Sequence, residues 1–89
     1  MNSRTTERFR QAFDGLPPDV RRQARSAFRL WQADPGHRSL QFKRVHPTQP
    51  IYSARIGLGW RALGVLESDT VVWFWIGSHA DYDRLIDSF

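Results

Sequence analysis

The stretch Ile51-Tyr52-Ser53-Ala54-Arg55-Ile56-Gly57-Leu58-Gly59-Trp60-Arg61-Ala62-Leu63 decides the fold. Residues 51–56 alternate, with Tyr52, Ala54 and Ile56 on one face and Ser53 and Arg55 on the other. A period of two is that of a half-buried strand. Gly57-Leu58-Gly59 makes a tight turn, and Trp60 to Leu66 reads as the next strand. Glu67-Ser68-Asp69 makes a second turn before a strand over Thr70 to Ile76. Turns this short leave the strands no option but an antiparallel meander. Thr70 to Ile76 is apolar on both faces, as a central strand covered on both sides would be. Leu40 to Val45 reads as one more strand, joined to the meander by the loop His46 to Pro50.

Upstream the period changes to that of helices. Thr5 or Thr6 can cap a first helix carrying Phe9, Phe13 and Leu16 at i, i+4 and i+7. Gly15 and Pro17-Pro18 end it, and residues 1–9 read directly into this helix with no strand before it. Pro18 suits the first turn of a second helix, with Asp19 at the positive end of its dipole. Val20, Ala24, Ala27, Phe28 and Trp31 fall on one face; Arg21, Arg22, Arg25 and Arg29 fall on the other. Asp34-Pro35-Gly36 stops that helix. Two antiparallel helices sharing one apolar seam are the expectation. Downstream, Ser78 can cap a last helix with Leu85, Ile86 and Phe89 inward. The predicted class is α+β: two N-terminal helices packed on a small, about four-stranded antiparallel sheet, plus a C-terminal helix.

A chain of 89 residues suits one domain, residues 1–89, because a second core would not fit. Four Trp and six Phe supply enough bulk for a small core. With no cysteine, a disulfide framework and thiolate metal sites are excluded. The longest apolar run, Val71 to Ile76, is far too short for a bilayer. Charges in MNSRTTERFRQAF occupy the place of a signal peptide's apolar stretch. A soluble, cytoplasmic chain is expected.

Charge is unevenly distributed. Residues 1–66 hold twelve Arg or Lys against four Asp or Glu, while residues 67–89 hold one Arg against five acids. All but one of the basic residues are Arg, which forks onto phosphate or carboxylate better than Lys. A basic body of this kind favours a polyanion or an acidic protein partner, and equally serves as a solvated surface.

Arg55 and Arg61 flank the tight hairpin, and a short turn can bring both to one side of the sheet if the register permits. Lys43, on the preceding strand, can join them, with Arg44 beside it. Cations converging on one face would hold a phosphate and stabilise the charge that builds on it during transfer. The plainer reading is that these are exposed strand residues that blunt edges or pair with Glu67 and Asp69. His79 just past the last strand has the place of a general acid or base, and Tyr82 one turn on has that of a base stacker. Equally, they are a helix-start histidine and a half-buried tyrosine. No two histidines have metal-ligand spacing, and no phosphate-cradling glycine loop is present, so neither metal nor cofactor is expected.

The order of elements, together with LPPDVRRQA at 16–24, ADPGHRSLQFKRV at 33–45, YSARIGLGWRAL at 52–63 and WIGSHADYDRL at 75–85, resembles the RelE/ParE superfamily of bacterial toxin–antitoxin toxins. The resemblance covers almost the whole chain. It implies a compact toxin neutralised by a cognate antitoxin. RelE-like members are metal-independent endoribonucleases that cut mRNA, mostly on the ribosome, by attack of the ribose 2′-hydroxyl on its own phosphate. Arg61 matches the family's phosphate-stabilising arginine on the strand after the hairpin turn. Arg55 and Lys43 match basic positions on the two strands before it, and Arg44 joins them as an RNA contact. His79 and Tyr82 match the C-terminal region, as acid or base and as stacker. Two departures stand out: the absence of the family's short N-terminal strand, and acids at Asp81, Asp83 and Asp87, which would repel an RNA backbone. Three functions follow for testing: an mRNA-cleaving toxin, a ParE-like toxin that binds DNA gyrase, and a non-catalytic interaction module.

Overall fold

The computed structural model describes residues 1–89. Its strands are β1 (Asn2–Thr5), β2 (Lys43–Arg44), β3 (Ile51–Ile56), β4 (Trp60–Glu67) and β5 (Thr70–Ser78); its helices are α1 (Glu7–Asp14), α2 (Pro18–Ala33) and α3 (His79–Ile86). The sheet runs β1-β5-β4-β3-β2. The β2-β3-β4-β5 pairs are antiparallel, as the short turns require. The α+β architecture is as expected, with one strand more.

That added strand corrects the reading of residues 1–9 as running straight into a helix. Asn2 to Thr5 pair in parallel with Thr70 to Trp73. The segment is polar and mostly exposed, so no alternation marks it. Its strand character comes from β5, whose backbone would otherwise lie unpaired along that edge. Thr6 then caps α1, its hydroxyl accepting from the Phe9 N–H at 3.1 Å. The Leu40 to Val45 strand contracts to the two residues of β2, because Arg38–Leu40 forms a 3-10 helix and Gln41 turns left-handed at φ 45°.

α1 and α2 pack on one face of the sheet and α3 on the other. On the two-helix face Trp31, only 1% exposed, anchors the core. Its ring meets Trp73 edge-on at 5.4 Å and Phe42 at 5.8 Å. The two helices do not close into a shared seam. α1 lies over β5 and α2 over β3, leaving an apolar cleft of about 440 Å³ lined by Phe9, Phe13, Ala27, Phe28 and Trp31. Arg25 bridges its rim, with its guanidinium carbon 5.3 Å from the Phe13 ring. Arg21 donates to the Leu16 carbonyl in the α1–α2 connection.

A bulge sets the second face. Leu63 pairs with Trp75 but Gly64 pairs with Trp73, so Phe74 is an extra residue in β5. Before it, Val71 and Trp73 point to the two-helix core; after it, Ile76 does. The change of phase turns Trp75 to the other face, where its ring lies 6.5 Å from that of Tyr82 on α3.

A candidate phosphate site beneath the C-terminal helix

Register assembles the site. Arg55 pairs with Arg61 and Ser53 with Leu63 across the β3–β4 hairpin, while Lys43 pairs with Ser53 across β2–β3. Directly paired residues share a face. Lys43, Ser53, Arg55 and Arg61 therefore share the α3 side, and Tyr52, Ala54 and Ile56 the two-helix side. Arg44 pairs with Tyr52 and so belongs to the opposite face; its Nε donates to the Gln49 carbonyl at 3.2 Å.

Side chains then divide the cations. Arg55 donates Nε to the Gly57 carbonyl at 2.9 Å and so closes its own turn. Lys43 is exposed. Arg61 is buried, with 9% exposure. Its Nη2 donates to Gln41 Oε1 at 2.8 Å, and its guanidinium carbon sits 5.3 Å from the Tyr82 ring centre. Nε and Nη1 are buried with no hydrogen-bond partner. Two idle donors on a buried cation are a concentrated capacity for an oxyanion.

α3 covers this capacity. Ser78 caps the helix, its hydroxyl accepting from the Asp81 N–H at 3.1 Å. The His79 N–H donates to the Gly59 carbonyl at 2.8 Å, tying the helix start to the hairpin turn. Tyr82 is buried and donates its hydroxyl to Ser53 Oγ at 3.2 Å. His79 is exposed at the rim, its ring 5.9 Å from that of Tyr82 and its Nε2 3.5 Å from Asp83 Oδ2. Asp81 pairs with Arg84 one turn along. Both acids nearest Tyr82 therefore have cationic or imidazole partners on their own helix.

The structure thus brings Arg61, Tyr82 and His79 together, leaves Lys43 free on the same face, and turns Arg55 and Arg44 to backbone carbonyls. Two participants escaped the sequence reading. Ser53 was legible as a lone hydroxyl on the face of Arg55, but its partner lies 29 residues away. Gln41 carried no signal, since its role depends on a left-handed turn. No group of three His, Asp or Glu is placed to hold a metal ion, and no helix is long and apolar enough to cross a membrane.

Known folds match this arrangement. The toxin-bearing RelB–RelE antitoxin–toxin complex of Methanococcus jannaschii aligns with a TM-score of 0.72 at 16% identity, covering 91% of this chain and 96% of that one. The intact RelBE complex of E. coli aligns at 0.64 and 15% identity, covering 85% and 93%. YafQ from E. coli aligns at 0.66 and 10% identity, covering 91% and 96%. Identities this low carry the fold alone. No curated protein matches the sequence. The model of the ParE-like toxin domain matches residues 18–84, which span α2, the meander and most of α3. The chain belongs to that family, within the RelE/ParE superfamily of toxin–antitoxin toxins.

Proposed function

We propose that this chain is the toxin of a type II toxin–antitoxin pair and a metal-independent endoribonuclease that cuts mRNA in the cytoplasm, on the ribosome. The observation that carries this reading is Arg61, a buried guanidinium with two idle donors on the face it shares with Lys43 and Ser53. In the proposed reaction the ribose 2′-oxygen attacks the adjacent phosphorus and the bond to the 5′-oxygen breaks. The products are a 2′,3′-cyclic phosphate and a 5′-hydroxyl. A base removes the 2′-hydroxyl proton and an acid supplies one to the 5′-oxygen; His79, at the rim, serves as one of these. Arg61 and Lys43 stabilise the charge on the phosphoryl oxygens, and Tyr82 stacks on a base. By likeness to the solved RelB–RelE complexes, a cognate antitoxin holds the activity in check.

Induced expression followed by primer extension tests the reading. New mRNA 5′ ends are expected, lost in Arg61→Ala and in His79→Ala. Growth arrest with intact mRNA would overturn it. That outcome would favour the gyrase-binding reading, to which the match with the ParE-like domain also lends weight; a supercoiling assay then decides.

A further inference from the structure

On the opposite side of the sheet, the apolar cleft between α1 and α2 is unfilled. Close packing leaves few voids larger than a water molecule in a protein interior. This one reaches about 440 Å³, within the range of about 300–1,000 Å³ for small-molecule sites. Side-chain size makes the room. Ala24 and Ala27 line it from α2, and Ala54 and Ala62, paired across β3–β4, line it from the sheet. Trp31 and Trp73, 1% and 5% exposed, close its depth. Its polar lining is Thr5, Arg10, Asp14 and Arg25, all exposed and so at the mouth. Arg10 donates Nη1 to the Thr5 carbonyl at 2.7 Å. Arg25 has no acidic partner: the three ion pairs of the protein join Arg4 to Glu67, His79 to Asp83 and Arg84 to Asp81. Its guanidinium rests against the Phe13 ring instead.

We infer that this cleft is a binding site for a free fatty carboxylate, with its chain against Trp31 and Trp73 and its head group on Arg25. Walls and mouth match the two ends of such a molecule. Hydrocarbon gains by leaving water for an apolar space, and a guanidinium forks onto a carboxylate. One acid, Asp14, stands against two arginines at the mouth, so the local charge favours an anion. Depth favours a chain over a protein element. An α-helix is about 10–12 Å across with its side chains. Laid over the mouth, it would leave the space above Trp31 and Trp73 empty, whereas a single flexible chain fills it. Arg61 lies across the sheet, on the face opposite to Ala54, so the inference does not depend on the nuclease reading.

Decanoate titrated into the full chain below its micelle-forming concentration tests this, with decanol as the neutral counterpart. The indole N–H resonances are the readout. Trp31 and Trp73 line the cleft, while Trp75 lies on the α3 face and serves as the control. Decanoate is expected to shift Trp31 and Trp73 to saturation and to leave Trp75 unmoved. It is expected to bind about fivefold more tightly than decanol, the upper end for an exposed ion pair. Arg25→Gln, on the exposed face of α2, is expected to erase that preference and keep the decanol affinity. Ala27→Leu fills the space and is expected to abolish both, with the melting temperature held or raised. Equal binding of the two probes, equal shifts at Trp75, or undiminished binding in Ala27→Leu overturns the site. The comparison of probes in the unsubstituted protein gives an answer even if a variant misfolds. Shifts with phosphatidylglycerol vesicles or with an acidic amphipathic peptide, but not with decanoate, would assign the cleft to a membrane or a protein and sink the inference. Shifts that follow protein concentration, with a dimer in sedimentation, would assign it to a second copy and sink it equally.

Discussion

Replacing Arg61 with Met should make the protein more stable. The guanidinium holds two buried, unpartnered nitrogens, each worth about 2 kcal/mol of desolvation without return. Against that stand one charge-assisted bond to Gln41 and the stacking on Tyr82. Gln41 is exposed, so its freed oxygen regains water, and the lost bond costs about 1.5 kcal/mol. Losing the cation–π contact costs about 1 kcal/mol. Met has a similar reach, fills the space, and keeps a sulfur–aromatic contact with Tyr82. The balance is about 1.5 kcal/mol in favour of Arg61→Met. For a domain of this size that raises the melting temperature by about 8 °C. Urea unfolding followed by circular dichroism measures it, with the midpoint rising and the slope unchanged. A fall in the midpoint would refute the reasoning: the guanidinium would then be a structural tie rather than a group held ready for an absent anion. The same variant should not arrest growth, which sets stability against function at a single position.

Two other substitutions probe the frame around the site. Gly64→Ala places a Cβ 2.5 Å from Val71 Cγ1 and 2.9 Å from Trp73 Cε3, beside the β5 bulge; thermal unfolding should show a loss of about 1–3 kcal/mol. Trp31→Ala empties the contact point between α2 and the sheet and should cost about 3–5 kcal/mol in chemical denaturation, enough to unfold a marginal domain.

What was legible in the sequence was whatever local chemistry decides. The β3–β4 hairpin announced itself through alternation and a glycine turn, but its register did not, so the shared face of Arg55, Arg61 and Lys43 was conditional on a pairing that only the structure supplies. Caps at Thr6 and Ser78 and the proline start of α2 are equally local. β1 was not legible, because Asn2 to Thr5 become a strand only by pairing with β5. The bulge at Phe74 was hidden inside an unbroken apolar run, where a change of phase leaves no mark in residue type. The site divides the same way. Sequence placed Arg61, His79 and Tyr82 in one neighbourhood. Burial of Arg61 beneath Tyr82 depends on a hydroxyl pair 29 residues apart and on the turn at Gln41. The side chain of Arg55 went to a carbonyl of its own turn, a choice no strand pattern predicts.

The pairing of β1 with β5 bears on the order in which the protein acquires its shape. The first strand to be synthesised waits for the last, since Asn2 finds its partner only at Thr70. The meander can form by short-range closure while the chain is still growing, but the parallel edge cannot, and non-local parallel pairing is slow. Tyr82 lies further along still, so Arg61 stays uncovered until α3 has been made. A nascent copy therefore passes through a stage with an unfinished edge and an open cationic face. That stage is its most vulnerable to aggregation and to stray polyanions.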